Sequence, residues 1–382
     1  MKLPVYLDNS ATTRVDPAVL QEMIPYFSEL YGNAASRSHI YGLLAKDAVE
    51  NARDHVAKII GASPSEIIFT SGSTEAANLA IKGVLETYKN KGNHIITVAT
   101  EHKAVLDSCK HAQKNGAEIT VLDVDINGII NLNTLQAAIK KNTILIAVMY
   151  GNNETGVLQN IKKIGAIAKE NNVLFFTDAT QAVGKLIIQV EDDGIDLLCF
   201  SAHKIYGPKG TGALYVRRKS PRVNLISQID GGGHERNFRS GTLNVPGIVG
   251  FGKACEISMN NFNEETSQMK CLREKLEKNL LVDGQIILNS GNAPRLPNIS
   301  NILFKSIPAN SLISEINKDV AVSSGSACSS ASVEPSHVLT SQGLSENDAK
   351  SSLRFSIGRF NTESDIDFTI KTIKKALAKF LS

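Results

Sequence analysis

The sequence predicts an α/β protein built on a mostly parallel central sheet, with a smaller α+β domain appended. Two observations carry this expectation. Between about residues 45 and 250, short apolar runs alternate with helix-like segments: EIIFT (66–70), HIITV (94–98), EITVLD (118–123), ILIAVMY (144–150), VLFFTD (173–178), DLLCFSA (196–202) and GALYV (212–216). Several are continuously apolar and β-branched, as strands covered on both faces are. Beyond about residue 255 the texture changes to a charged helical stretch, NEETSQMKCLREKLEKNLL, then strand-like pieces such as ISNILFK, then the amphipathic SDIDFTIKTIKKALAKFL. The expected division is therefore 16–250 for the large domain, and 1–15 with 251–382 for the small one. The closing helix should begin at TESD, where Thr362 and Asp365 have capping-box spacing. Its acidic start and lysine-rich end complement the helix dipole. No internal repeat or low-complexity linker interrupts the pattern.

Composition narrows the class. With 382 residues and 42% hydrophobic content, the chain can bury a sizeable core. Lys and Arg number 41 against 38 Asp and Glu, and a net charge of +3 makes no case for nucleic acid or an anionic membrane. RRKSPR (217–222) is expected as a solvated turn after a strand. Five cysteines at scattered spacings argue against a disulfide framework and for a reducing compartment. The start MKLPVYLDNSATT turns polar too early for a signal peptide, and no apolar run reaches membrane-spanning length. The expected location is the cytoplasm.

Ligands of open α/β sheets collect at the carboxyl ends of the strands, so the residues just after each apolar run carry most weight. In IIFTSGSTEAANLAI a strand passes through Ser71, Gly72, Ser73 and Thr74 into a helix, offering hydroxyls, N–H groups and a positive dipole to a phosphate. A plain serine-rich N-cap has the same pattern. VLFFTDATQAVG ends a buried strand at Asp178, with Gln181 following; a buried carboxylate needs a cationic partner. LLCFSAHKIYGPKGTGALYV anchors Lys204 between a strand and a glycine-rich turn, where a desolvated amine can act as a nucleophile. Each feature alone has an ordinary structural explanation. Lysine, aspartate and phosphate cup together make pyridoxal 5′-phosphate the natural ligand. Cys328 lies in SSGSACSSASVEP (323–335), among residues too small to pack it, and reads either as a reactive thiol or as an incidental cysteine of a surface loop. Cys109, Cys199, Cys255 and Cys271 are expected in packing roles. CKH (109–111) lacks further ligands at metal-site spacing, and no metal is expected.

Several motifs together resemble the cysteine desulfurases, fold-type I enzymes of the class-V aminotransferase group. They are YLDNSATT (6–13), SGSTEAANLAIKG (71–83), TEHKAVL (100–106), NNETG (152–156), TDATQAVGK (177–185), SAHKIYGPKGTGALY (201–215), GGGHERNFRSGT (231–242), SSGSACSSAS (323–332) and RFSIGRFNTE (354–363). The resemblance is to the branch that includes the iron–sulfur assembly and nitrogenase-associated enzymes. It implies that Lys204 holds pyridoxal phosphate covalently and moves the Cα proton, that Asp178 pairs with the ring nitrogen, and that His102 stacks on the ring. Asn153 and Gln181 would contact ring substituents. Ser73, Thr74, Ser201 and His203 would hold the phosphate, with Thr242 reaching in from the second subunit of a homodimer. Arg354 would bind the carboxylate of L-cysteine, assisted by Asn33 and Asn153, and Cys328 would take the sulfur as a persulfide for an acceptor such as an iron–sulfur scaffold. Two features depart from the family pattern: Ala34 follows GN where proline is common, and the chain stops at KKALAKFLS where housekeeping members continue into a scaffold-docking tail. The rival activities are a selenocysteine lyase and a cofactor-free thiol hydrolase pairing Cys328 with His102 or His337.

Overall fold

The computed structural model describes residues 3–282, 284–324 and 334–381. In chain order its strands are β1 (Val5–Tyr6), β2 (Ile67–Thr70), β3 (His94–Val98), β4 (Glu118–Leu122), β5 (Thr143–Ala147), β6 (Leu174–Asp178), β7 (Leu197–Ser201), β8 (Gly212–Val216), β9 (Ile286–Leu288), β10 (Ile299–Phe304), β11 (Val320–Ala321) and β12 (Ser352–Ser356). Strands β2 to β8 form one sheet in the order β2-β8-β7-β6-β5-β3-β4. It is parallel throughout except at β8, which runs against both neighbours. Every apolar run of the first half is one of these strands. ILIAVMY outlasts β5 by three residues, because beyond Ala147 the Met149 N–H turns to the carboxylate of Glu101 at 2.5 Å.

Successive residues of the inner strands feed opposite faces, as a pleated strand must. Ile96, Ile146 and Leu198 enter one apolar cluster with the helices Ile40–Lys58 and Val245–Asn260. Ile95, Leu145 and Leu197 enter the other, with Ser73–Tyr88 and Lys103–Lys114. The first pair of helices packs tightly. A Cβ added to Gly252 would lie 2.5 Å from the Ala52 Cα, so only glycine lets the two backbones approach this closely.

A third cluster joins Leu7 to Met269, Leu276, Ile302, Leu353, Phe355, Ile366 and Ile373. It covers the antiparallel sheet β12-β10-β9, beside which β1 and β11 pair in parallel. The first cluster still contains Phe251, Ala254 and Cys255, whereas the third takes Leu7 and then residues from Met269 onward. The helix Val245–Asn260 packs with the first cluster. Arg359 links distant parts of the chain: its guanidinium reaches Asp16 at 2.9 Å and Glu265 at 3.0 Å and stacks 4.0 Å over the Tyr206 ring. The closing helix Glu363–Leu381 has its capping box, with Thr362 N donating to Asp365 at 2.9 Å and Asp365 N to Thr362 Oγ1 at 3.2 Å.

Two expectations need correction. Arg217 of RRKSPR is not solvated but turns inward to Asp196 at 3.1 Å, because the buried Asp196 carboxylate at the start of β7 needs a cation. Cys271 is exposed, lying on the polar side of the helix Phe262–Leu280, while Cys109, Cys199 and Cys255 are buried. Among the described residues no helix is long and apolar enough to cross a membrane.

One loop is held in an unusual shape. Glu235, Arg236 and Asn237, in GGGHERNFRSGT, have φ of 48°, 57° and 67°, three successive left-handed residues, none of them glycine. Such a conformation costs roughly 1–2 kcal/mol per residue. It is held by a buried fork: Arg53 donates to both Glu235 oxygens at 2.7 and 2.8 Å, and Phe69 N of β2 donates to one of them at 2.7 Å.

Candidate active site

The carboxyl ends of β2, β6 and β7 open into a cavity of about 570 Å³. At one end, Gly72 precedes the helix Ser73–Tyr88, and three hydroxyls form a chain: Ser73 Oγ lies 2.8 Å from Ser201 Oγ, and Thr180 Oγ1 donates to Ser73 Oγ at 2.7 Å. Ser73 N also donates to Ser201 Oγ at 2.8 Å. β8 starts directly beneath. A Cβ at Gly212 would stand 2.6 Å from the Gly72 Cα, so glycine here lets the cup sit flat on the strand. Hydroxyls and a helix N-terminus without bulky side chains suit a phosphate.

Lys204 ends the short turn Ala202–Lys204 that follows β7. The N-terminal segment lies over it. Lys204 Nζ donates to the carbonyls of Ser10 and Ala11 at 2.5 and 2.7 Å, while Thr13 N donates to the His203 carbonyl at 2.9 Å. The motif YLDNSATT thus forms the wall that aims the lysine. Behind Lys204, Lys185 is buried and donates to the Lys204 carbonyl at 3.3 Å. Burial, with the charges of Lys204 and Arg359, brings its ammonium down to about 7. His203 lies 3.0 Å from Thr12 Oγ1, and burial plus the charges of Lys204, Lys209 and Lys185 push its imidazole down to about 4. It is a neutral hydrogen-bonding ring at neutral pH.

Asp178 closes β6, buried, with Thr180 N donating to one oxygen at 2.9 Å. Gln181 donates to the Ser10 carbonyl at 2.9 Å, and its Oε1 is buried without a partner among the described residues. His102 lines the opposite wall and caps the helix Lys103–Lys114, its Nδ1 accepting from Ala104 N at 3.1 Å. A buried carboxylate, a buried side-chain oxygen awaiting a donor and a hydroxyl cup match a pyridinium nitrogen, a ring substituent and a phosphate. The residues present fit pyridoxal 5′-phosphate. Beneath them Glu101 is wholly buried, and burial, reinforced by the Asp178 charge against the Met149 N–H, raises its carboxyl well above the usual range.

Arg354 lies on β12, an edge strand of the three-stranded sheet. It donates to the Asn153 carbonyl at 3.0 Å and to Asp8 at 2.7 Å, its backbone pairs with Ser323, and among the described residues its Nε has no hydrogen-bond partner. The cavity therefore brings together Ser73, Thr74, His102, Asn153, Asp178, Gln181, Ser201, His203, Lys204 and Arg354. Asn33 and Thr242 are exposed and do not line it; Asn33 Oδ1 instead accepts from Ala35 N at 2.9 Å. Cys328 lies outside the described residues. Sequence reasoning gave no role to Asp8, Glu101 or Lys185, although each stands in a quoted motif: YLDNSATT, TEHKAVL and TDATQAVGK.

The family Aminotransferase class-V matches residues 5–368. Cysteine desulfurase IscS of Anaeromyxobacter sp. (strain Fw109-5) is 52% identical over 99% of this chain and 94% of its own length. The chain belongs to the cysteine desulfurases of the class-V aminotransferase family. Cysteine desulfurase IscS of Methylococcus capsulatus is 51% identical, again over 99% of this chain and 94% of its own. Among solved structures, a NifS-like protein has a TM-score of 0.91 at 38% identity, covering 98% of this chain and 100% of that one. The structure titled SspA in complex with cysteine gives 0.82 at 37%, covering 94% and 100%. This cysteine desulfurase fold is thus the fold-type I architecture expected, and pyridoxal 5′-phosphate is its cofactor. A cofactor-free hydrolase is set aside.

Proposed function

We propose that the chain works as a homodimer in the cytoplasm, converting L-cysteine to L-alanine and passing the sulfur, carried as a persulfide on Cys328, to an acceptor such as an iron–sulfur scaffold. The observation that carries this reading is the meeting of Lys204, Asp178, the hydroxyl cup and Arg354 in one cavity. Bound pyridoxal 5′-phosphate supplies an electron sink for the pair left behind when a Cα–H bond breaks. Ser73, Thr74, Ser201 and His203 would hold its phosphate, Asp178 would pair with its ring nitrogen, Gln181 and Asn153 would meet its ring substituents, and His102 would cover its face. Arg354 takes the substrate carboxylate through its planar fork. Lys204, aimed by Ser10 and Ala11, carries the Cα proton. The Cys328 thiolate attacks the substrate sulfur; an S–S bond forms, the Cβ–Sγ bond breaks with its electrons staying on carbon, and a proton on Cβ completes alanine.

The homodimer is supported by apolar side chains left in solvent. Leu20, Ile24, Phe27 and Tyr31 are 49–64% exposed, and Ile40, Leu43 and Leu44 add to them from the next helix. An apolar patch of this kind marks an interaction surface, and Thr242 is exposed and available to a neighbour's phosphate cup. Incubation of the holoenzyme with L-cysteine and a thiol reductant should yield alanine and sulfide in equal amounts. Sulfide without alanine would defeat the reading.

A further inference from the structure

The cofactor cavity is lined by an anion that its phosphate should repel. Glu75, in the first turn of the helix Ser73–Tyr88, faces the same cavity as Ser73 and Thr74. Its Oε2 accepts from Ser71 N at 2.8 Å, so the carboxylate occupies part of the N–H array that would otherwise serve the phosphate. Arg239 meets it as a fork, Nε to Oε1 at 2.8 Å and the terminal nitrogen to Oε2 at 3.3 Å. Burial opposes ionisation of Glu75, but the hydrogen bonds from Arg239 and Ser71 outweigh it and hold the carboxyl below its usual range. The pair is largely sheltered, at 22% and 16% side-chain exposure, so its charges are only partly screened by water. Arg239 comes from the loop held left-handed at Glu235, Arg236 and Asn237 and fixed to β2 through Glu235 and Arg53. That anchoring leaves Arg239 little freedom to swing away.

We propose that Arg239 is a positioning residue for cofactor binding: it neutralises Glu75 so that a phosphate can enter the cup beside it. This rests on the reading that the Ser73–Thr74–Ser201 cup holds the phosphate of pyridoxal 5′-phosphate. Without Arg239 a bare carboxylate would face a phosphate dianion across a partly desolvated site, where like charges interact strongly.

The test is equilibrium binding of pyridoxal 5′-phosphate, and of pyridoxal without its phosphate, to cofactor-free protein, followed by cofactor absorbance. Arg239→Met should weaken pyridoxal 5′-phosphate roughly 10- to 100-fold and pyridoxal hardly at all, a difference set by charge. Adding Glu75→Gln to Arg239→Met should restore binding to within about threefold of the wild type, a rescue that a merely structural arginine would not give. Glu75→Gln alone keeps the test decisive should Arg239→Met fold poorly, and it should bind pyridoxal 5′-phosphate at least as tightly as the wild type. Tight binding by Arg239→Met, no rescue in the double variant, or a tenfold loss in Glu75→Gln would each overturn the proposal. Equal affinity of the wild type for the two ligands would instead overturn the phosphate-cup reading beneath it.

Discussion

Lys185 Nζ donates to the carbonyl oxygen of Lys204 at 3.3 Å, placing a buried amine directly behind the half-buried lysine of the cavity. A lysine brought down to about 7 in the fold, but ordinary when unfolded, binds fewer protons folded than unfolded between about pH 7 and 10. Stability therefore rises with pH across that window, and below it the penalty is constant. Lys185→Met should stabilise the cofactor-free protein at pH 7, by an amount on the order of 4 kcal/mol at most, with the gain fading towards pH 10. Denaturation of both proteins across this range checks it; a gain that does not vary with pH contradicts it.

Arg354 is expected to govern substrate rather than cofactor. Arg354→Lys retains a charge but loses the fork that reaches Asn153 and Asp8 together. The KM for L-cysteine should rise by roughly 100-fold while cofactor absorbance stays unchanged. Steady-state kinetics beside a visible spectrum separates the two, and an unchanged KM would remove Arg354 from the substrate site.

The buried Arg53–Glu235 pair should be far costlier to halve than to delete. Arg53→Met strands a buried carboxylate and should destabilise the protein by about 3–5 kcal/mol, whereas Arg53→Met with Glu235→Gln should recover a large part of the loss. Denaturant midpoints of the three proteins decide it. Equal losses in the single and double variants would mean that the pair contributes only packing.

Cys328→Ala and Cys328→Ser should both bind L-cysteine, seen as a change in cofactor absorbance, yet release almost no sulfide with reductant, since neither side chain can carry sulfur. Desulfuration of L-cysteine at the wild-type rate by either variant would move selenocysteine lyase ahead as the reading.

What was legible in the sequence was whatever the chain writes locally. Continuous apolar runs such as HIITV and GALYV mark strands covered on both faces, and the polar residues that end them, Asp178 and Lys204 above all, stand where such sheets collect ligands. The capping box at Thr362 and Asp365 is equally local. Partnerships across the chain left no such trace. Asp8 meets Arg354 from 346 residues away and Glu75 meets Arg239 from 164, and no periodicity encodes either contact. The exposed Cys271 escaped for a related reason: a cysteine at one helical position gives no sign of which side of the helix it takes.

The left-handed run Glu235–Arg236–Asn237 also bears on how this protein would respond to engineering. A search for heat-tolerant variants should favour glycine at Asn237, where it relieves the backbone without disturbing the apolar core, rather than at Arg236, whose side chain donates to the Ile67 and Pro64 carbonyls. The same change would slacken the hook from which Arg239 and Thr242 hang. Gains in melting temperature at this position should therefore come with easier loss of cofactor, and selection for function would keep the uncomfortable residue in place.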